Sequence, residues 1–266
     1  MPTVQWVINE MEAWAPASLA ETYDNVGLLV GDSLQPVKKI LVALDATNAV
    51  IKEAIENNYD CIVTHHSLIY DPMKRVIACD ATGRRVMTLI KNGISLYTAH
   101  TNLDKAEGGV SDCLARKLGI KNVFPLVKDP SNDAIGFGRV GELSNEMTLG
   151  ELAGHVKKSL GLKDIRYGGD LSAKIKKVAL CGGSGMTFWQ AVKDTNCDVY
   201  ITGDVKYADA NMVLAAGVSL LDITHYSSEN VVIEAIVERL RVKAKNANFP
   251  VEINATSVVG QTFYTV

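Results

Sequence analysis

The sequence predicts an α/β protein of two duplicated, pseudo-two-fold related lobes, each a mixed sheet covered by helices. Three observations carry this. Short apolar runs alternate with helical patterns along the 266 residues. One strand–helix–strand stretch recurs 138 residues further on. Several apolar runs end abruptly in histidines and carboxylates. The length fits one large domain or two small ones at roughly 150 residues each. Apolar residues make up 47% and charged residues 21%, which suits a packed core and excludes dominant disorder.

The first element is an amphipathic helix. Val4, Val7, Ile8 and Met11 recur at helical spacing, Thr3 can cap it and Pro16 lies beyond its end. The repeat follows. Residues 38–64 read KKILVALDATNAVIKEAIENNYDCIVT, and residues 176–202 read KKVALCGGSGMTFWQAVKDTNCDVYIT. Lys38 and Lys39 match Lys176 and Lys177. Asn58, Asp60 and Thr64 match Asn196, Asp198 and Thr202. Each copy reads as buried strand, turn, helix, buried strand: Ile40–Leu44 and Cys61–Thr64, then Val178–Cys181 and Val199–Thr202. A second echo pairs Gly93-Ile94-Ser95-Leu96 with Gly217-Val218-Ser219-Leu220. Helical patterns then run from Val110 to Leu118 and from Val231 to Leu240. Between the copies, Phe124 to Ala173 opens on Pro125, Pro130 and loop residues. It continues as a strand with turns at Gly136–Gly141 and as a helix capped by Thr148 and Glu151. The chain is thus one domain over 1–266. Its first lobe spans about 1–124 plus about 230–266, and its second about 125–229.

The net charge of −3 gives no bulk electrostatic grip on nucleic acid. The five cysteines, Cys61, Cys79, Cys113, Cys181 and Cys197, are odd in number and form no CxxC pair. That argues against a disulfide framework and a zinc-thiolate site, and for a reducing cytoplasm. No apolar run approaches the roughly 20 residues that span a bilayer. The N-terminal stretch, with Glu10 and Glu12, lacks the basic region of a signal peptide.

Four of the five histidines stand just past strand ends. They are His65 and His66 after Cys61–Thr64, His100 after Ile94–Tyr97, and His225 after Val218–Ile223. Ligands of open α/β sheets bind beyond such ends. Neighbouring strand side chains point opposite ways, so the two adjacent histidines cannot both face the core. Asp104 lies four residues after His100, and Glu229 four after His225, within one helical turn. Imidazole with carboxylate suits zinc, iron or manganese. Capping and turn roles for the same residues are the alternative. His155 sits mid-helix beside Lys157 and Lys158 and reads as a solvated face residue. Gly182-Gly183-Ser184-Gly185 can present N–H groups to an anion or simply make a tight turn. It lacks the Lys-Ser/Thr of a P-loop.

Six motifs together resemble a known family. They are Asp24-Asn25-Val26-Gly27-Leu28, Thr64-His65-His66, His100-Thr101-Asn102-Leu103-Asp104, Cys181-Gly182-Gly183-Ser184-Gly185, Thr202-Gly203-Asp204-Val205-Lys206-Tyr207 and His225-Tyr226-Ser227-Ser228-Glu229. The chain resembles the NGG-interacting-factor-three-like proteins, also called GTP cyclohydrolase 1 type 2 homologues, in their short form without a central insert. The resemblance implies a toroidal homohexamer of trimers or dimers with a dinuclear metal site. It implies His65, His66, Asp104, His225 and Glu229 as ligands, with Glu229 bridging and His100 lining the site. Ser67 stands where the family has proline, and Ala208 where it has histidine after Lys-Tyr.

Two carboxylates against two divalent ions leave the site near +2, which suits a bridging hydroxide and a small anionic substrate. The expected activity is hydrolysis of a nucleotide or other small phosphorylated compound. In the cyclohydrolase form, hydroxide opens the imidazole ring of a guanine nucleotide. Asp204, Lys206 and His100 are the candidate catalytic residues. Two rivals are a metal-dependent phosphoesterase and a non-catalytic metal-binding, scaffold or regulatory protein.

Overall fold

The computed structural model describes residues 1–264. Among them are eleven strands. In chain order these are β1 (Gly27–Val30), β2 (Lys39–Ala43), β3 (Cys61–Thr64), β4 (Ser95–Thr98), β5 (Lys121–Asp129) and β6 (Asn132–Thr148). They continue with β7 (Arg166–Gly168), β8 (Lys174–Leu180), β9 (Val199–Thr202), β10 (Ser219–Asp222) and β11 (Glu252–Ala255). The strands form two mixed sheets, and the chain divides into two units. Residues 265 and 266, which the sequence reading gives to the first lobe, lie outside the described residues.

The first unit comprises Met1–Leu103 and Ile233–Gly260. Its sheet has the order β1-β4-β3-β2-β11. The inner pairs are parallel, and β1 runs antiparallel to β4. Strands β3 and β4 are buried at every position, as a sheet covered on both faces requires. Helices Asn48–Glu56 and Ala81–Lys91 pack Val50, Ile51, Ala54, Val86 and Leu89 with Leu41, Ile62 and Leu96 of the strands. The first helix spans Val4–Glu12 and buries Val4, Val7 and Met11. Thr3 holds its cap position but makes no side-chain cap bond; its backbone instead bridges to Pro36.

The second unit comprises Asp104–Val232 with residues 261–264. Its sheet has the order β5-β6-β8-β9-β10-β7. Strands β8, β9 and β10 are parallel, and β7 runs antiparallel to β10. The order and senses of β8-β9-β10-β7 repeat those of β2-β3-β4-β1, which is the duplication seen as topology. Hydrogen bonding repeats as well. Asp60 accepts from the Lys38 and Lys39 amides at 2.7 and 2.9 Å, and Asp198 from the Lys176 and Lys177 amides at 2.8 and 2.7 Å. Asn58 and Asn196 both take left-handed backbone, φ 56° and 53°, before the second strand of each copy. Pro125 lies within edge strand β5, not in a loop. An edge tolerates a residue with no N–H to donate. The glycines at 136–141 fall inside the single long strand β6 and are paired there without the expected turns; the irregularities of β6 lie on either side of them. Thr148 and Glu151 form a complete capping box for helix Leu149–Leu160.

Candidate metal centre

In the first unit, β2 extends its pairing past the end of β3. The His65 and His66 amides donate to the Ala43 and Leu44 carbonyls at 3.4 and 2.9 Å. The Thr64 hydroxyl donates to the His66 carbonyl at 3.0 Å and lies 2.9 Å from that of Thr98. The turn therefore has one shape, and it splays the rings. The His65 and His66 centroids lie 5.1 Å apart, and each lies within 5.7 Å of His100. One ligand nitrogen from each of the three falls within 4.8 Å of the others.

Each imidazole is held through the same atom. His65 Nδ1 lies 2.9 Å from the Ala99 carbonyl, His66 Nδ1 2.8 Å from Asp45 Oδ1, and His100 Nδ1 2.9 Å from Asp24 Oδ1. Carbonyl and carboxylate oxygens only accept, so each contact is a hydrogen bond in the tautomer with its proton on Nδ1, which leaves the Nε2 lone pair available. Carboxylate–histidine pairs of this kind orient metal ligands. Burial pushes the His100 pKa down, and the neighbouring His65 adds to this against the pull of Asp24. The net shift favours the neutral ring, the form that binds metal. Burial pushes the Asp24 carboxyl up, but bonds from Thr101 and His100 outweigh it and the net shift is downward.

The second unit supplies one imidazole and two carboxylates. After β10, Thr224 takes φ 66° and ψ 153°, and its hydroxyl caps the short helix His225–Glu229 at the Ser227 amide. Positive φ in a β-branched residue is a strained state that marks functional sites. Within that helix, His225 Nε2 stands 3.0 Å from Glu229 Oε2. His225 Nδ1 lies 2.8 Å from Asp204 Oδ2. Glu229 is 4% exposed, and an oxygen of Asp104 lies within 4.8 Å of one of its own. Both carboxylates, after burial itself, push the Cys181 thiol far above its usual range. The local field is negative.

The glycine loop after β8 is a packing device. The Gly182 amide donates to Ser111 Oγ at 3.4 Å, Gly183 to Ser228 Oγ at 2.9 Å and Gly185 to Thr202 Oγ1 at 2.9 Å. These donors are engaged within the protein, which favours the tight-turn reading over an anion cradle. At Gly183, φ is 65° and a Cβ would run into Glu229 Oε1. Glycine lets the backbone lie against the buried carboxylate.

Asp204 is exposed and spends one oxygen on His225. Lys206 is exposed at the start of helix Tyr207–Ala215. His155 is exposed, as a solvated face residue should be, and its Nε2 lies 2.9 Å from the Leu118 carbonyl, at a helix end. A cavity of about 380 Å³ in the second unit, lined by Glu107, Asp112, Arg116 and Lys121, holds none of these donors. Asp45 carried no sequence signal. Asp24 stood in a recognised motif, but nothing linked it to a histidine 76 positions on.

Over residues 2–260 the chain matches the family described as Duf34/NIF3 (NGG1p interacting factor 3). The chain belongs to that family. The NIF3 relative from Clostridium perfringens (strain 13 / Type A), called GTP cyclohydrolase 1 type 2 homolog, is 42% identical over 235 residues, 88% of this chain and 90% of that one. A Bacillus cereus protein related to NIF3 shares the fold with a TM-score of 0.95 at 27% identity, covering 100% of this chain and 99% of its own. Staphylococcus aureus protein SA1388 superposes with a TM-score of 0.93 at 30% identity, with both chains covered completely. This is the short NIF3 form, its histidines and carboxylates clustered in a manner consistent with metal binding.

Proposed function

We propose that the chain holds two divalent ions through His65, His66, Asp104, His225 and Glu229, with Glu229 bridging, and hydrolyses a nucleotide or other small phosphorylated substrate. One observation carries the metal reading: three imidazoles are each anchored through Nδ1, which leaves Nε2 to serve as a donor, and His225 stands between the Asp204 and Glu229 carboxylates. The donor set fits zinc, iron or manganese. Two carboxylates with oxygens within 4.8 Å also favour a cation beside them, because like charges this close oppose each other's ionisation. Ions bound here supply Lewis acidity and lower the pKa of bound water.

The remaining roles belong to the chain's own groups. Asp45 and the Ala99 carbonyl hold the two adjacent rings, and Asp204 holds His225. That bond makes Asp204 a positioning group rather than a free acid or base. Lys206, exposed two residues on, offers a cation to a phosphate. The name of the C. perfringens relative supplies the specific candidate, opening of the GTP imidazole ring.

The test begins with protein loaded with zinc, iron or manganese, its metal counted by mass spectrometry. Two ions per chain are expected, and His65→Ala and Glu229→Gln should each reduce the count. Incubation with GTP should then release formate and a ring-opened product. Both sites full with no product would sink the cyclohydrolase reaction. Phosphate released from a panel of small phosphoesters would place the activity there instead. Silence in both assays would leave a metal-binding protein without turnover.

A further inference from the structure

Asp24 is the most enclosed acidic side chain near the three-histidine cluster, with no exposed side-chain surface. Four donors converge on it. Oδ1 accepts from the Asn25 amide at 2.8 Å and from His100 Nδ1 at 2.9 Å. Oδ2 accepts from the Thr101 amide at 3.0 Å and from the Thr101 hydroxyl at 2.5 Å. That hydroxyl also accepts from the Glu21 amide at 2.9 Å, and the Thr101 amide, which can only donate, is the fixed partner of Oδ2. The Oδ2 side of the site therefore demands an acceptor. The Oδ1 side faces one backbone amide and one imidazole, and only the imidazole can exchange donor for acceptor.

We propose that Asp24 is a positioning residue that sets the tautomer of His100, keeping the proton on Nδ1 and the Nε2 lone pair directed at the metal-binding cluster. The Thr101 pair makes the setting one-way. It orients the carboxylate and reserves Oδ1 for the ring. His100 stands beside His65 and His66, with ligand nitrogens mutually within 4.8 Å, so its tautomer decides whether a third ring offers the cluster a lone pair or an N–H. The proposal rests on the metal reading above but can be tested separately from it.

Asp24→Asn is the decisive variant. Its amide nitrogen cannot sit at the Oδ2 position against two Thr101 donors. Turned toward Oδ1, it gives up the bond from the Asn25 amide and donates to His100 Nδ1, which drives the proton to Nε2. The full-length chain carries five histidines, so ¹⁵N-histidine labelling yields few enough ring signals to read. His100→Gln assigns its pair by loss. In metal-stripped protein at about pH 8, the wild-type His100 ring should carry its proton on Nδ1, and the Asp24→Asn ring on Nε2. The other rings should hold their shifts. Zinc affinity, measured against a chromogenic chelator, should fall more than twofold, because the ring that lines the site then turns an N–H toward the cluster. An unchanged tautomer in Asp24→Asn, or zinc affinity within about twofold of wild type, overturns the proposal. If Asp24→Asn fails to fold, the wild-type spectrum still decides, because an Nε2-protonated His100 refutes it directly. A wild-type chain that binds no zinc in the same titration would defeat the metal reading while leaving the tautomer measurement intact.

Discussion

A single missing Cβ shapes the second unit's donor set. Gly183 lies against Glu229 with left-handed backbone, and any side chain there would displace the carboxylate. Gly183→Ala is expected to keep the fold and lower zinc affinity at least tenfold, as a chelator competition would show. Arg139 presents the opposite case, a large charge taken wholly inside. It is 2% exposed and pairs with Asp112 through two bonds of 2.7 Å. It also donates to the Gly136 and Gly138 carbonyls. Arg139→Ala removes every one of these donors and leaves Asp112 behind. It should cost about 3–5 kcal/mol in urea unfolding. At this scale the sequence was most legible where chemistry is local. His225 and Glu229 are one helical turn apart and meet as the spacing requires. Asp24 and His100 meet only because β1 and β4 are paired, and no local pattern announces that.

At the scale of elements, the repeated aspartates are the informative feature. Asp60 and Asp198 each close a parallel βαβ unit by accepting two successive amides, Lys38 and Lys39 where β2 begins and Lys176 and Lys177 within β8. If the copies are equivalent, Asp60→Ala and Asp198→Ala should cost similar amounts. Each leaves two amides short of a partner, about 1–3 kcal/mol, measurable as paired shifts in urea midpoint. A second clamp holds the segment after β11. Glu53, on helix Asn48–Glu56, accepts from the Thr256 hydroxyl and from the Ser257 amide and hydroxyl. Burial pushes its carboxyl up, but these bonds outweigh it and the net shift is downward. A lowered folded pKa means that the stability is present above the unfolded value and is lost as pH falls through the folded one. The wild type should therefore exceed Glu53→Gln in urea midpoint at pH 7, with the gap closing as pH falls below the ordinary glutamate range. The strands of the repeat were readable as four short apolar runs. Strands β1, β7 and β11 were not. The first two carry half-exposed or fully exposed residues and pair antiparallel at sheet edges, and β11 is an edge strand with one buried residue. Their sequences lack the uniform burial that marks an inner strand.

For the molecule as a whole, the duplication was visible because strand order and clamps repeat together. The donors do not repeat. The first unit carries three imidazoles, and the second carries one imidazole with two carboxylates. The ring-shaped homohexamer implied by family resemblance is a proposal. It predicts one sedimenting species at six times the chain mass. Among the described residues no helix is long and apolar enough to cross a membrane.

The two aspartate clamps carry a last consequence. Each sheet is closed by backbone pairing, apolar packing and its own carboxylate. The chain should then behave unlike a zinc finger, which unravels when its ion is removed. Chelation should leave the far-ultraviolet circular dichroism intact and lower the melting temperature only by the linkage of lost ligand. A vessel that keeps its shape when drained can be refilled. Its occupant would then follow cellular supply and the ordinary order of ligand affinities, not the history of folding.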